Sequence, residues 1–156
     1  MAVPESFVGL SQTLTGLGAN ELPSAVQLLD ATGQTLKLSD AYYARLHSAY
    51  PGLIDELITA WEVVRYDADL VASLTALLTA NTAEGRRLRL GARQVIKIWY
   101  LSTIDDPTKP LGDKSASTGQ LGGDLGQFQL GVIWRLIGAP PQGYSNFPHG
   151  YWAAKP

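Results

Sequence analysis

The chain has 156 residues, enough for one domain with a sizeable core, and 46% are hydrophobic, which excludes intrinsic disorder. Its net charge is −2 and only 17% of residues are charged; that balance excludes nucleic acid as the main partner and suits a chain that buries surface in a complex. It contains no cysteine, which removes disulfides, thiolate metal sites and cysteine nucleophiles, and no run reaches the ~18 apolar residues of a membrane span.

The N-terminal stretch MAVPESFVGL lacks the charged region, apolar run and cleavage site of a signal peptide. From Ser6 to Leu17, the apolar residues Phe7, Leu10, Leu14 and Leu17 recur at helical spacing. Pro4 and Ser6 are start signals there, and Gly16 and Gly18 are stop signals. A second helix is expected after Pro23, with Val26, Leu28 and Leu29 as its apolar residues. DATGQTLKLSD then reads as a loop that turns at Gly33. Ser39 or Asp40 is expected to cap a third helix through Tyr42, Tyr43, Leu46 and Tyr50, which Pro51-Gly52 ends.

LIDELITAWEVVRY is strongly periodic: Leu53, Leu57, Trp61 and Val64 share one face, flanked by Ile54 and Ile58. ADLVASLTALLTA follows as another helix. The segment TAEGRRLRLGARQVIKIWYLSTID is expected to form the longest helix, with Thr82 as a candidate cap. Leu88, Ala92, Val95, Trp99 and Ser102 form its buried stripe, widened by Ile96 and Tyr100. QVIKIWYL has strand propensity, but its place inside a longer helical pattern decides for helix. Residues 105–126, rich in Gly and Pro, read as a long loop. A last helix is expected around FQLGVIWRLIG, with Phe128, Val132, Trp134, Leu136 and Ile137. The fold class expected is all-α: a single compact helical domain of about six or seven helices over residues 1–156, ending in an extended tail at 140–156.

Chemistry-bearing residues are few. His47 and His149 are the two histidines, and neither has the companions that metal ligation needs. His47 reads as structural or exposed, and His149 as a packing or partner contact with proton transfer the alternative. Asp105 and Asp106 are neighbours that read as a solvated turn before Pro107 rather than an acid/base pair. Asp55 and Glu56 suit the first turn of a helix. GQLGGDLG follows no predicted strand and carries no phosphate-loop pattern. Trp61, Trp99 and Trp134 lie on apolar stripes and read as core residues. Arg86, Arg89, Arg93 and Lys97 form one basic stripe: either a solvated helix face or a charged seam for an acidic partner.

The tail YSNFPHGYWAAKP poses a different problem. Tyr144, Phe147, Tyr151 and Trp152 are apolar surface in a segment that Pro148 and Gly150 bar from regular structure. Chain ends are usually polar and frayed unless something ties them down. Such a tail packs on its own domain or on another protein, and Tyr and Trp are the usual anchors of interfaces.

Three pieces together resemble a known family. They are Phe7, Leu10, Ser11, Leu14, Thr15 and Gly16; then Trp99, Tyr100 and Leu101; then Gly150, Tyr151, Trp152, Lys155 and Pro156. The set is similar to the small (gamma) subunit of bacterial FAD-dependent sugar and polyol dehydrogenases, which accompanies sorbitol, glucose, fructose or gluconate dehydrogenase flavoprotein subunits. The resemblance implies a non-catalytic, chaperone-like subunit that holds no cofactor and supports a large subunit carrying FAD, with a cytochrome subunit as a further partner. The aromatic tail and the basic stripe make up the expected partner-binding surface: Tyr144, Phe147, His149, Gly150, Tyr151, Trp152, Lys155 and Pro156, with Arg86, Arg89 and Arg93. The resemblance also implies the periplasm; the family's twin-arginine signal is not in this sequence, so the cytoplasm is the alternative. The rival expectations are a stand-alone small helical enzyme using His149 with Asp105 or Asp106, and a homo-oligomeric structural protein.

Overall fold

A computed structural model of the chain describes residues 4–29, 33–109, 120–122 and 125–138. The protein is mostly helical, with seven helices and two small two-stranded antiparallel sheets among these residues.

Helix α1 (Glu5–Thr15) buries Phe7, Leu10 and Ser11, on the stripe that the sequence marks. The segment after Pro23 is not a helix. Strand β1 (Gln27–Leu29) pairs with β2 (Thr35–Lys37), Leu28 opposite Leu36. The short apolar run after Pro23 is too brief to sustain a helix, whose nucleation is costly. Paired instead with TLK, it turns only Leu28 and Leu36 inward in each three-residue strand. The backbone bonds from Leu38 N–H to the Val26 carbonyl (2.8 Å) and from Ser39 N–H to the Ser24 carbonyl (3.2 Å) tie this hairpin to the next helix.

That helix, α2 (Leu38–Ala49), starts directly from β2, with Lys37 at the cap position and no side-chain cap bond. Neither Ser39 nor Asp40 caps it, because both already lie inside the first turn. Helix α3 (Leu53–Val64) buries the six apolar residues of the expected stripe. Helix α4 (Leu70–Thr79) is capped by Asp69, whose carboxylate accepts the Ala72 N–H. Helix α5 (Ala83–Leu101) is the longest and is capped by Thr82 as expected, through the Gly85 N–H at 2.9 Å.

Helix α5 forms the centre of the fold and packs against α1, α2, α3 and α4. Its buried stripe is Leu88, Ala92, Val95, Trp99 and Ser102, as the spacing predicts. The widening is different: Ile98 is fully buried, while Ile96 is exposed and Tyr100 half-buried. The core joins α1, α2, α3 and α5 through Phe7, Leu10, Tyr42, Leu46, Ile54, Leu57, Val95 and Trp99, all fully buried. Trp99 meets Tyr42 edge-on at 4.9 Å and stacks on Phe7 at 6.4 Å. Such ring pairs add ~1 kcal/mol each beyond the area they bury.

The stretch 105–126 is not loop throughout. Strand β3 (Thr103–Asp105) pairs with β4 (Gln120–Gly122), Ile104 opposite Leu121. The last helix is in two pieces, α6 (Leu125–Gln129) and α7 (Val132–Leu136). Gly131 separates them: a Cβ there would lie 2.8 Å from the Tyr100 carbonyl oxygen, so glycine lets the chain approach the end of α5. Val132 is buried, Phe128 and Trp134 are half-buried, and Leu136 and Ile137 are exposed. Trp134 is therefore a peripheral rather than a core residue; its indole donates to the Phe128 carbonyl at 2.9 Å. The tail at 140–156 lies outside the described residues.

Candidate interaction surface

Arg86, Arg89 and Arg93 are exposed along α5. Among the described residues, the Arg86 side chain reaches Asn81, at 3.4 Å. Lys97 leaves their stripe. Its Nζ lies 2.5 Å from Asp105 Oδ1, and both side chains are largely covered. Gln94, fully buried, donates from Nε2 to Asp105 Oδ2 (2.8 Å) and accepts the Asp105 N–H at Oε1 (2.8 Å). Tyr50 donates to the Asp105 carbonyl at 2.8 Å.

Asp105 is thus no solvated turn residue: it fastens β3 to α5 and α2. Its neighbour Asp106 faces away and accepts from Thr108 N–H (2.9 Å) and Thr108 Oγ1 (2.7 Å), the turn expected before Pro107. Consecutive strand and turn residues point apart, so the two carboxylates share no site. Burial alone would raise the Asp105 carboxyl, but bonds from Lys97 and Gln94 and the charges of Lys97 and Arg93 outweigh it and hold the group below its ordinary range. Tyr50 is pushed up to about 12, first by burial and then by the charges of Asp105 and Asp106.

His47 is structural. Its Nε2 lies 3.2 Å from Asp55 Oδ2, and Tyr43 donates to Asp55 Oδ1 at 2.8 Å. Together they brace α2 against α3 across the Pro51-Gly52 turn. Burial, then the hydrogen bond and charge of Asp55, push the Tyr43 hydroxyl up to about 12. A further network joins α2, α5 and α6. Tyr42 Oη and Ser102 Oγ lie 2.5 Å apart, and Arg45 Nη1 donates to the Ser102 carbonyl (3.1 Å) and to Gln127 Oε1 (2.8 Å). These groups are satisfied by one another, which is the arrangement of a structural lock rather than of a nucleophile awaiting a base.

The outer surface has apolar features. Val63, Tyr66 and Val71, around the turn from α3 to α4, are 75%, 82% and 67% exposed. An open groove of about 820 Å³ runs between α3 and α5, lined by Ala60, Val63 and Leu88 and edged by the Glu56–Arg87 ion pair (2.9 Å). Arg65, at the end of α3, lies against the rings of Trp61 and Tyr66. Sequence reasoning missed this cluster. The signal was present, since Trp61 and Arg65 are four residues apart on one helix and four-apart residues are neighbours.

Of the expected partner-binding residues, the structure therefore places Arg86, Arg89 and Arg93 on one exposed face. Tyr144, Phe147, His149, Gly150, Tyr151, Trp152, Lys155 and Pro156 lie outside the described residues. Among the described residues, no group of three or more acidic or His side chains is placed to hold a metal ion, and no helix is long and apolar enough to cross a membrane. No protein-family model matches the chain, and no curated protein or solved structure matches it.

Proposed function

We propose that this protein is a non-catalytic accessory subunit that binds and stabilises the FAD-containing catalytic subunit of a sugar or polyol dehydrogenase. The observation that carries the reading is the meeting of two sequence pieces that resemble the small-subunit family. Phe7 of the first stacks on Trp99 of the second at 6.4 Å. Tyr100 of the second donates to the carbonyl of Thr15 in the first at 3.1 Å. Ser11 donates to the Phe7 carbonyl at 2.7 Å and Thr15 to the Ser11 carbonyl at 2.7 Å. The Phe7–Trp99 and Tyr100–Thr15 contacts hold α1 on α5, which suits a scaffold whose role is to present surface. On this reading the third piece, in the tail, is the contact with the flavoprotein, aided by the exposed Arg86, Arg89 and Arg93. The periplasm is the compartment that goes with this reading.

Isolation of the full chain from its native cells, followed by an absorbance spectrum of the eluate, tests the proposal. A larger co-purifying protein with a flavin spectrum, and dehydrogenase activity with a sugar or polyol, is the expected result. A colourless chain recovered alone would sink it.

A further inference from the structure

The groove between α3 and α5 sets an apolar floor beside charge of one prevailing sign. Its α3 wall runs from Gly52 to Val63, roughly 16 Å of helix. Helix α5 runs antiparallel to it: Gly91 lies against Leu53 and Leu57, while Arg87, one turn earlier, pairs with Glu56. Glu84, nearly a turn earlier again, therefore stands at the Val63 end of the groove. On the floor Leu88 is buried, Ala60 half-buried and Val63 75% exposed.

Three carboxylates and one guanidinium line this groove, so its charge is negative. Two of the carboxylates are already met. Glu56 has Arg87 at 2.9 Å, and Asp55 has His47 at 3.2 Å and the Tyr43 hydroxyl at 2.8 Å. The Glu84 side chain has no ion pair or hydrogen bond among the described residues. Its place in the first turn of α5 suits the helix dipole but brings it no cation. Arg86, Arg89 and Arg93 do not line the groove; by helical periodicity they fall on the far side of α5 from Glu84 and Leu88.

A helix laid here covers Val63 and Ala60 and dries the edge on which Glu84 stands. A neutral apolar helix would take water from that carboxylate and return no partner, which is costly. An acidic helix would set like charges together. A helix with a basic residue beside its apolar stripe does neither. We infer that the α3/α5 groove is a docking site for a basic amphipathic helix of another protein. Its apolar residues, one turn apart, cover Ala60, Val63 and Leu88, and a lysine or arginine beside them takes Glu84. The arginine stripe calls for an acidic partner surface, so the two sites are separate, and this one does not rest on the partner being a flavoprotein.

The test uses the full isotope-labelled chain and a blocked amphipathic peptide of about fourteen residues, with leucine on one helical face and lysine beside it. Magnetic resonance follows the methyl groups of Ala60, Val63 and Leu88 and the amide of Glu84. One comparison peptide has glutamate for lysine, and another has glutamine for leucine. The leucine–lysine peptide should shift the groove signals saturably and bind more tightly than either comparison. Its affinity should fall roughly fivefold in Val63→Gln and roughly threefold in Glu84→Gln. Both positions are exposed, so the signals of the core should stay where they are in each variant. Several results would overturn the inference. One is no saturable shift in the groove, or shifts confined to Arg86, Arg89 and Arg93. Equal binding of the glutamate peptide would remove the charge preference, and equal binding of the glutamine peptide would remove the apolar contact. Affinity unchanged in both variants would place the peptide elsewhere. Groove signals that move when the chain alone is diluted would assign the groove to a second copy of this chain.

Discussion

A Cβ built on Gly9 would lie 2.7 Å from the Trp61 ring, and that ring is anchored by the bond from its Nε1 to Thr13 Oγ1 at 3.2 Å. Gly9→Ala therefore sets two effects against each other. Alanine gains about 1 kcal/mol in helix propensity, but overpacking against a fixed ring costs about 1–3 kcal/mol. The clash should win, and thermal melting should show a lowered Tm. Asp105 makes a prediction of the opposite character, one of pH. Its folded carboxyl is held below the unfolded value by Lys97 and Gln94 against the cost of burial. The stability it contributes is present above the unfolded pKa and is lost as pH falls through the folded one. Asp105→Asn should lower stability at neutral pH by about 1–2 kcal/mol and should flatten acid unfolding below pH ~4. Denaturant melts of both proteins across that range check it; parallel acid limbs would contradict the assignment. Tyr50 and Tyr43 have the reverse linkage. Their hydroxyls are raised to about 12, so the folded chain keeps them neutral where an unfolded one ionises, from pH ~10 upward. Stability is full below the unfolded value and falls as pH rises toward 12. An ultraviolet titration of the folded protein should find these hydroxyls ionising later than those of the unfolded chain.

Thr82 closes the N-terminal end of α5 by accepting the Gly85 N–H, and the helix it starts touches five others, α1, α2, α3, α4 and α7. Thr82→Ala should cost about 1 kcal/mol, read as a lower denaturant midpoint with an unchanged slope. This helix was legible in the sequence for a simple reason: over nineteen residues a 3.6-residue period repeats often enough to be read. The same is true of α1 and α3. The three-residue strands show no period, since β1, β2 and β3 each turn one side chain inward, and Leu28 finds its partner Leu36 only across a turn. The last helix looked continuous because its apolar residues run on through Gly131; the break comes from contact with Tyr100, thirty-one residues earlier, which no local pattern carries. The candidate surface divides along the same line. The spacing of Arg86, Arg89 and Arg93 places them on one open face. Lys97 has the same spacing, but its fate is set by Asp105 beyond the end of the helix. A helical wheel shows which way a residue points and not what comes to meet it.

At the scale of the molecule, the described residues fold around α5 and leave apolar and basic surface outside, which suits the association proposed above. If a flavoprotein subunit is the partner, binding stabilises it by mass action, by about 2.7 kcal/mol when the free small subunit is at a hundredfold excess over Kd. Loss of contact should then appear twice, as weaker association and as a lower yield of folded, flavin-loaded large subunit. Tyr151→Ala with Trp152→Ala removes the two tail residues that carry most aromatic surface, and buried aromatic anchors cost about 2 kcal/mol or more on truncation. The double variant should weaken the complex by roughly thirtyfold or more. The isolated variant should keep its helical circular dichroism, because the helices described lie between Glu5 and Leu136. A parallel variant, Arg86→Gln with Arg89→Gln and Arg93→Gln, separates the two parts of the expected surface. Rim charges act mainly on the association rate and its salt dependence, so this triple variant should slow association at low salt and leave dissociation nearly unchanged. The tail variant should instead speed dissociation. Kinetic traces of both against the flavoprotein distinguish a surface made of anchor and charged rim from one that uses neither, and a tail variant that binds and protects as well as the unmodified chain would remove the tail from the interface.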